Sequence, residues 1–290
     1  MLNELPLEII MMIINCMNVK DAFRLLSVNR KLWSYRTEII YYHKLYHDQI
    51  EHLPTKTRFK GLEYNNAHTI PDQYHNQVKY LLYNSDITLE TFGSLTHLDI
   101  SISDCRNIII PKSVYHLTLQ GNGDIKGLIP YHITHLILGP DFDYTVKGCI
   151  PNNVIYLVFG DNFSQSISKS IPGSVIYLKF GHNFNRYVGN CIPKSVRVLK
   201  FGNKFNRSLL YSIPPGIVYL KFGVNFDQPI SPYLPSTLKI LKLGYNFNDI
   251  IPDLPHCKIT INAKHVYKKK YCRKLMSKFS FLDKGVILLS

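Results

Sequence analysis

Apolar positions fall into two regimes along the chain. From Phe92 to about residue 252, two apolar residues separated by one variable residue recur as Leu98/Ile100, Leu117/Leu119, Leu136/Leu138, Leu157/Phe159, Leu178/Phe180, Leu199/Phe201, Leu220/Phe222 and Leu241/Leu243. Such a pair marks the inward face of a short strand. Six residues before each leucine stands Phe92, Pro111, Pro130, Pro151, Pro172, Pro193, Pro214 or Pro235, and the prolines are spaced by one step of 19 residues and then five of 21. In the later copies a glycine follows the strand. Next come Asn or Asp (Asp141, Asn162, Asn183, Asn225, Asn246, with Lys204 interrupting) and then Phe142, Phe163, Phe184, Phe205, Phe226 or Phe247. An apolar residue, from Ile150 to Leu234, closes each of these copies before the next proline.

One such coil cannot bury its Leu/Phe edge alone, whereas stacked coils share a continuous core. A globular sandwich would not hold a 21-residue step five times running. The pattern therefore predicts a mainly β chain, a parallel β-solenoid of about eight coils of 19–21 residues over 92–252. The Asn column is expected to satisfy backbone groups at the bend. Turns and extended segments, not helices, should cover the outer side. The unit "IPxSVxxLxFGxxFNxxI" resembles the FNIP repeat, a short leucine-rich-repeat-like family, and "HNQVKYLLYNSD" reads as a degenerate opening coil.

Residues 1–40 follow a helical period. Ile9, Ile10, Ile13, Ile14 and Met17 share one face after Pro6, which suits a first helical turn. "NVKDAFRLLSVNRKLW" offers a second helix, and Asn29 could cap a third. Leu5-Pro6, Glu8-Ile9, Ile13, Asp21, Leu25, Val28, Arg30 and Leu32-Trp33 resemble the F-box in order and spacing, while Asn29 stands where that family commonly has cysteine. The resemblance implies docking to the adaptor Skp1 of a cullin-RING ubiquitin ligase through Leu5, Pro6, Ile9, Ile13 and Leu25. F-box and FNIP repeats occur together in proteins of large amoebal DNA viruses and social amoebae, so the pairing implies a virus–host setting and the host cytoplasm. A purely structural reading makes the same helices a cap for the first coil. Residues 41–91, poor in Gly and Ser, read as a packed connector. Residues 253–290 read as a basic C-terminal cap, with seven Lys/Arg in 264–278.

Charge changes the picture only in the second half. The chain carries 34 Lys/Arg against 20 Asp/Glu; residues 151–250 have eleven basic groups against three acidic, and 251–290 nine against two. The residues flanking each buried leucine point outward. The column before it runs His97, His116, His135, Tyr156, Tyr177, Val198, Tyr219, Ile240, and the column after it ends in Lys179, Lys200, Lys221 and Lys242. Lysines stacked at ~4.8 Å repel by about 0.9 kcal/mol per neighbouring pair in bulk water. Retaining four of them fits either a binding face or a solvated face that discourages edge pairing. Lys179, Lys200, Lys221 and Lys242 with Tyr156, Tyr177 and Tyr219 are the candidate target-binding residues. Basic groups among aromatics suit an acidic or phosphorylated protein segment, or single-stranded nucleic acid. The alternative function is thus a basic solenoid that binds nucleic acid or another polyanion.

No catalytic constellation or cofactor motif stands out: there is no P-loop, no Rossmann glycine pattern and no Ser/His/Asp or Cys/His arrangement. The expected function is a non-catalytic protein-interaction adaptor without cofactor. His97, His116 and His135 are weak metal candidates, because a ladder runs parallel and does not converge on a point. The six cysteines show no CxxC pair. Cys149 and Cys191, two coils apart, would lie ~10 Å apart, beyond the ~7 Å disulfide reach. Glu4 and Glu8 where a signal peptide would be basic, and the lack of any long apolar run, point to an intracellular protein without a transmembrane segment.

Overall fold

The structure is a computed structural model that describes residues 92–106, 108–249, 251–252, 254 and 256–262, together with 40–41, 58–59, 63–64, 80–83, 89, 279–282 and 286–289. The helices expected over residues 1–40, with Leu5, Pro6, Ile9, Ile13 and Leu25, lie outside the described residues. So does the basic stretch 264–278. The chain divides into two compact units, 1–117 and 118–290.

In the first unit, β1 (Ile40–Tyr41) pairs in parallel with β2 (Arg58–Phe59). A second parallel run joins β3 (Glu63–Tyr64), β4 (Tyr80–Leu82) and β5 (His97–Ser101), with Tyr64 opposite Leu81 and Leu81 opposite Leu98. β4 lies in the degenerate opening stretch, and its Leu81 is buried like the leucines of the regular coils. After β5 comes the one-turn helix α1 (Ile102–Cys105), where the Ser101 hydroxyl accepts from the Asp104 N–H at 3.1 Å. That side-chain cap satisfies a donor the short helix leaves orphaned.

The second unit begins within β6 (His116–Gln120). It continues through β7 (His135–Leu138), β8 (Tyr156–Val158), β9 (Tyr177–Lys179), β10 (Val198–Lys200), β11 (Tyr219–Lys221), β12 (Ile240–Leu243) and β13 (Lys258–Asn262). From β7 to β12 the pairing is parallel and sets each repeat leucine opposite the next. The protein is mainly β, a parallel β-solenoid of about eight turns. β13 also pairs in parallel with β12, Leu241 facing Ile259. The periodicity did not announce this strand, because the step contracts to 18 residues and the glycine and phenylalanine are missing. β15 (Val286–Leu289) then pairs antiparallel with β13, and β14 (Phe279–Leu282) antiparallel with β15.

Two columns of aromatic rings fill the interior. Phe159, Phe180, Phe201 and Phe222 stack from coil to coil at 5.4–5.5 Å between centroids. Phe142, Phe163, Phe184, Phe205, Phe226 and Phe247 stack at 6.0–6.3 Å. Within a coil the two columns touch at 3.8–4.1 Å, as between Phe180 and Phe184. Each ring is at most 7 % exposed, and burying a side chain of this size contributes about 1.5–3 kcal/mol.

Three turns carry the chain round. The carbonyls of Pro151, Pro172, Pro193, Pro214 and Pro235 accept from the N–H three residues on. Proline suits the corner because its fixed φ presets the bend and it has no N–H to satisfy. A second turn runs from glycine to phenylalanine, as from the Gly160 carbonyl to the Phe163 N–H, and a third starts at buried Val146, Ile167, Val188, Leu209 or Ile230. The third turn is left-handed in four successive coils and in the 19-residue coil before them: Gly127, Gly148, Lys169, Asn190 and Tyr211 all have φ between 52° and 75°. One coil later Pro232 stands at this place. It cannot take positive φ, and a 3-10 turn, Ser231–Tyr233, replaces the left-handed corner.

Polar side chains stitch the bend, in a different way from that expected. The column Asp141, Asn162, Asn183, Asn225, Asn246 bonds to itself: the amide of Asn183 donates to Asn162 at 2.9 Å and that of Asn246 to Asn225 at 3.3 Å, with Lys204 interrupting the ladder. Backbone N–H groups are instead satisfied by neighbouring columns. Asp143, Asn185, Asn206 and Asp227 each accept from the N–H of the equivalent residue one coil on, at 2.7–3.0 Å. Asp161 and Asn203 do the same for His182 and Val224. The hydroxyls of Ser174 and Ser195 donate to the Val154 and Val175 carbonyls of the coil before. Cys105, Cys149, Cys191 and Cys257 are free thiols; burial pushes Cys105 up to about 11.

A cation and tyrosine stack on the outward strand face

The strand register sets Lys179, Lys200, Lys221 and Lys242 opposite one another on β9 to β12, and Tyr156 opposite Tyr177 on β8 and β9. All the candidate target-binding residues therefore lie on one outward face. They do not form two independent columns.

The tyrosine column is interrupted by Val198, and the shorter side chain leaves room beside Tyr177. Lys200 leans into that room. Its Nζ donates to the Tyr177 hydroxyl at 2.9 Å and stands 4.8 Å from the Tyr177 ring centre and 5.2 Å from that of Tyr219. At the next break, beside Ile240, Lys242 stands 5.7 Å from the Tyr219 ring centre. Tyr156 stacks on Tyr177 at 4.1 Å with 12° between planes, and His135 on Tyr156 at 5.3 Å. One continuous pile results: His135, Tyr156, Tyr177, Lys200, Tyr219, Lys242. A cation over a tyrosine face contributes about 0.5–1 kcal/mol at an exposed site, which offsets much of the repulsion between neighbouring lysines.

The four lysines are thus unequal. Lys200 is half-buried in the pile, whereas Lys179, Lys221 and Lys242 are exposed. The Val198 gap was visible in the sequence, but its consequence depends on how far a flexible lysine reaches.

Burial pushes the Tyr156 phenol up to about 12, and its hydrogen bond with Tyr177 adds to that rise. Burial acts upward on Tyr177 as well. The hydrogen bonds from Lys200 and Tyr156, with the charges of Lys200 and Lys179, outweigh it and bring Tyr177 below its ordinary value. Burial lowers the His135 pKa.

His97 and His116 lie with ring centres 4.5 Å apart, and Thr96 Oγ1 is 2.9 Å from His97 Nδ1. Thr134 Oγ1 stands at the same distance from His135 Nδ1. Among the described residues no group of three or more His, Cys, Asp or Glu could hold a metal ion. Among them, too, no helix is long and apolar enough to cross a membrane.

The FNIP Repeat family matches residues 144–183, 169–204, 183–225 and 205–246, and the F-box domain family matches residues 2–32. The chain carries an F-box domain and FNIP repeats. The FNIP coils include the whole of the cation and tyrosine pile from Tyr156 to Lys242. No curated protein matches the sequence. Among solved structures the chain is similar to CroV588, a giant-virus protein described as a novel circular LRR protein, with 27% identity and a TM-score of 0.54. The match covers 71% of this chain and 33% of that one, so the chain spans about a third of the length of CroV588.

Proposed function

We propose that the protein is a non-catalytic adaptor in which residues 1–40 dock Skp1 and the solenoid of residues 92–252 presents a target to a cullin-RING ubiquitin ligase. An F-box joined to a repeat solenoid suggests a protein-interaction adaptor, and F-box domains generally bind Skp1 in such ligases. F-box and repeat-solenoid families are typically non-catalytic. The observation that carries the proposal is the pairing of an F-box match at residues 2–32 with a lysine row on the outward strand face of the repeat coils, of which Lys179, Lys221 and Lys242 are exposed. In this reading Leu5, Pro6, Ile9, Ile13 and Leu25 make the Skp1 contact and residues 41–91 connect the two parts. Lys179, Lys200, Lys221 and Lys242 with Tyr156, Tyr177 and Tyr219 form the capture face, residues 253–290 cap the final coil, and the assembly works in the host cytoplasm.

The test is binding of purified Skp1 to the full-length chain and to an Ile9→Asp/Ile13→Asp variant. Saturable binding to the parent, reduced at least tenfold in the variant, is expected, since carboxylates would be forced into an apolar contact. Parent protein that is folded by circular dichroism yet does not bind Skp1 would sink the adaptor reading.

A further inference from the structure

We infer that the strand face from β9 to β12 takes an acidic protein segment in polyproline-II conformation, laid across the strands, with carboxylates three residues apart on Lys179 and Lys221. The inference rests on the reading of this face as the capture surface and gives its partner a chemistry.

The pile sets what the surface can offer. Tyr156 covers one face of Tyr177, Lys200 reaches Tyr177 and Tyr219 from the gap beside Val198, and Lys242 lies near Tyr219. The rings spend their faces on one another and on ammonium groups. A platform for single-stranded nucleic acid needs open aromatic faces on which successive bases stack, so this arrangement works against that occupant. What remains at the surface are ring edges with their hydroxyls, and ammonium groups. Hydroxyls and ammoniums donate. Neither outward column contains a carboxylate from His135 to Lys242. The surface is therefore rich in donors and cationic, which calls for a ligand of anionic oxygens.

Position sets the spacing. Lys200 is occupied by Tyr177, whereas Lys179 and Lys221 are exposed on the strands to either side of it. Two strand spacings separate them, about 10 Å. In a polyproline-II segment, residues three apart lie on the same side and about 9 Å apart. An extended β-strand would bring alternate residues onto one side at about 7 Å, a poorer match. Such a segment is also already extended and loses little entropy on docking.

The test uses the full-length chain and a fluorescein-labelled peptide of Glu-Pro-Pro repeats, with a Gln-Pro-Pro repeat peptide and an oligodeoxythymidylate of equal length as comparisons, read by anisotropy. The Glu peptide is expected to bind saturably and to weaken as salt rises. The Gln peptide and the oligonucleotide should bind at least tenfold more weakly. Lys179→Gln/Lys221→Gln should reduce Glu-peptide binding about tenfold or more. Both side chains are exposed, and unchanged thermal unfolding checks that the variant is folded. Lys179→Arg/Lys221→Arg should retain binding. Tighter binding of the oligonucleotide, or equal binding of the Glu peptide by parent and Gln variant, overturns the inference. Skp1 binding measured on the same samples separates the two ideas. Retained Skp1 binding with no Glu-peptide affinity overturns the acidic partner alone. Glu-peptide affinity without Skp1 binding supports the acidic partner and defeats the adaptor reading.

Discussion

Two corners of the same coil treat glycine in opposite ways. At the bend after the strand, Gly139, Gly160, Gly181, Gly202, Gly223 and Gly244 recur in six successive coils, although none has the left-handed φ that glycine alone adopts freely. At the third turn the backbone is left-handed, yet the residue changes from Gly127 and Gly148 to Lys169, Asn190 and Tyr211. The difference lies in what a Cβ would meet. A Cβ on Gly160, Gly181, Gly202 or Gly244 would collide with the carbonyl of the glycine one coil before. At Gly127 and Gly148 nothing lies within 4 Å. Backbone pressed against backbone leaves no side chain to move aside. A left-handed residue in open space costs only about 1–2 kcal/mol. The repeat keeps a residue where space excludes alternatives, and lets it drift where the cost is a local torsion.

Substitutions at the two corners can break this contrast. Gly181→Ala should lower stability by about 3 kcal/mol or more, at the upper end for overpacking, because two coils must separate; a drop below about 1 kcal/mol in urea unfolding would remove the steric argument. Gly148→Ala should cost about 1 kcal/mol, the penalty of left-handed alanine in open space. A loss as large as that of Gly181→Ala would show that the corners do not differ in kind. Tyr211→Gly should leave stability within about 0.5 kcal/mol of the parent, since relief of the left-handed tyrosine is offset by the greater freedom of glycine in the unfolded chain. A clear destabilisation would mean that the exposed Tyr211 ring contributes contacts that outweigh its backbone strain.

The same distinction explains how much could be read from the sequence. Strand positions, parallel pairing and the lysine row were legible, because Leu178, Phe180 and Phe184 occupy sites where only a buried apolar group fits. β13 was not, since its step is shorter and Ile259 arrives without the glycine and phenylalanine that mark the other coils. The helix α1 was also missed. It falls in the first copy, between Phe92 and Pro111, where Ser101 and Asp104 form a local cap that a 21-residue template does not contain. At the bend, the expected role went to the wrong polar column. Asn162 and Asn183 bond to their own kind, while Asp143 and Asn206, on the other side of the phenylalanine, hold the backbone. Sequence spacing gives a side chain's place on the coil but not the direction in which a short amide turns. The pile on the outward face was hidden for a related reason. Val198 and Lys200 are unremarkable separately, and only their proximity on β10 lets the lysine enter the tyrosine column.

The bonds between coils carry a rule of arithmetic. Asp143 to Ser164, Asn185 to Asn206, Asn206 to Asp227 and Asp227 to Asn248 all span 21 residues. If residues 172–192 were cut out, Pro193 would follow Ile171 as Pro172 does now. Ser195 would find the carbonyl of Val154, and Leu199 would lie against Leu157. A shift of one position within a strand would instead turn its buried leucine to the outside, whereas the 19-residue step to Leu136 and the 18-residue step to Ile259 lose residues outside the strand and keep the apolar residue buried. The array can therefore be shortened or lengthened in whole lines, like a ruled page, provided each strand keeps its place on the line.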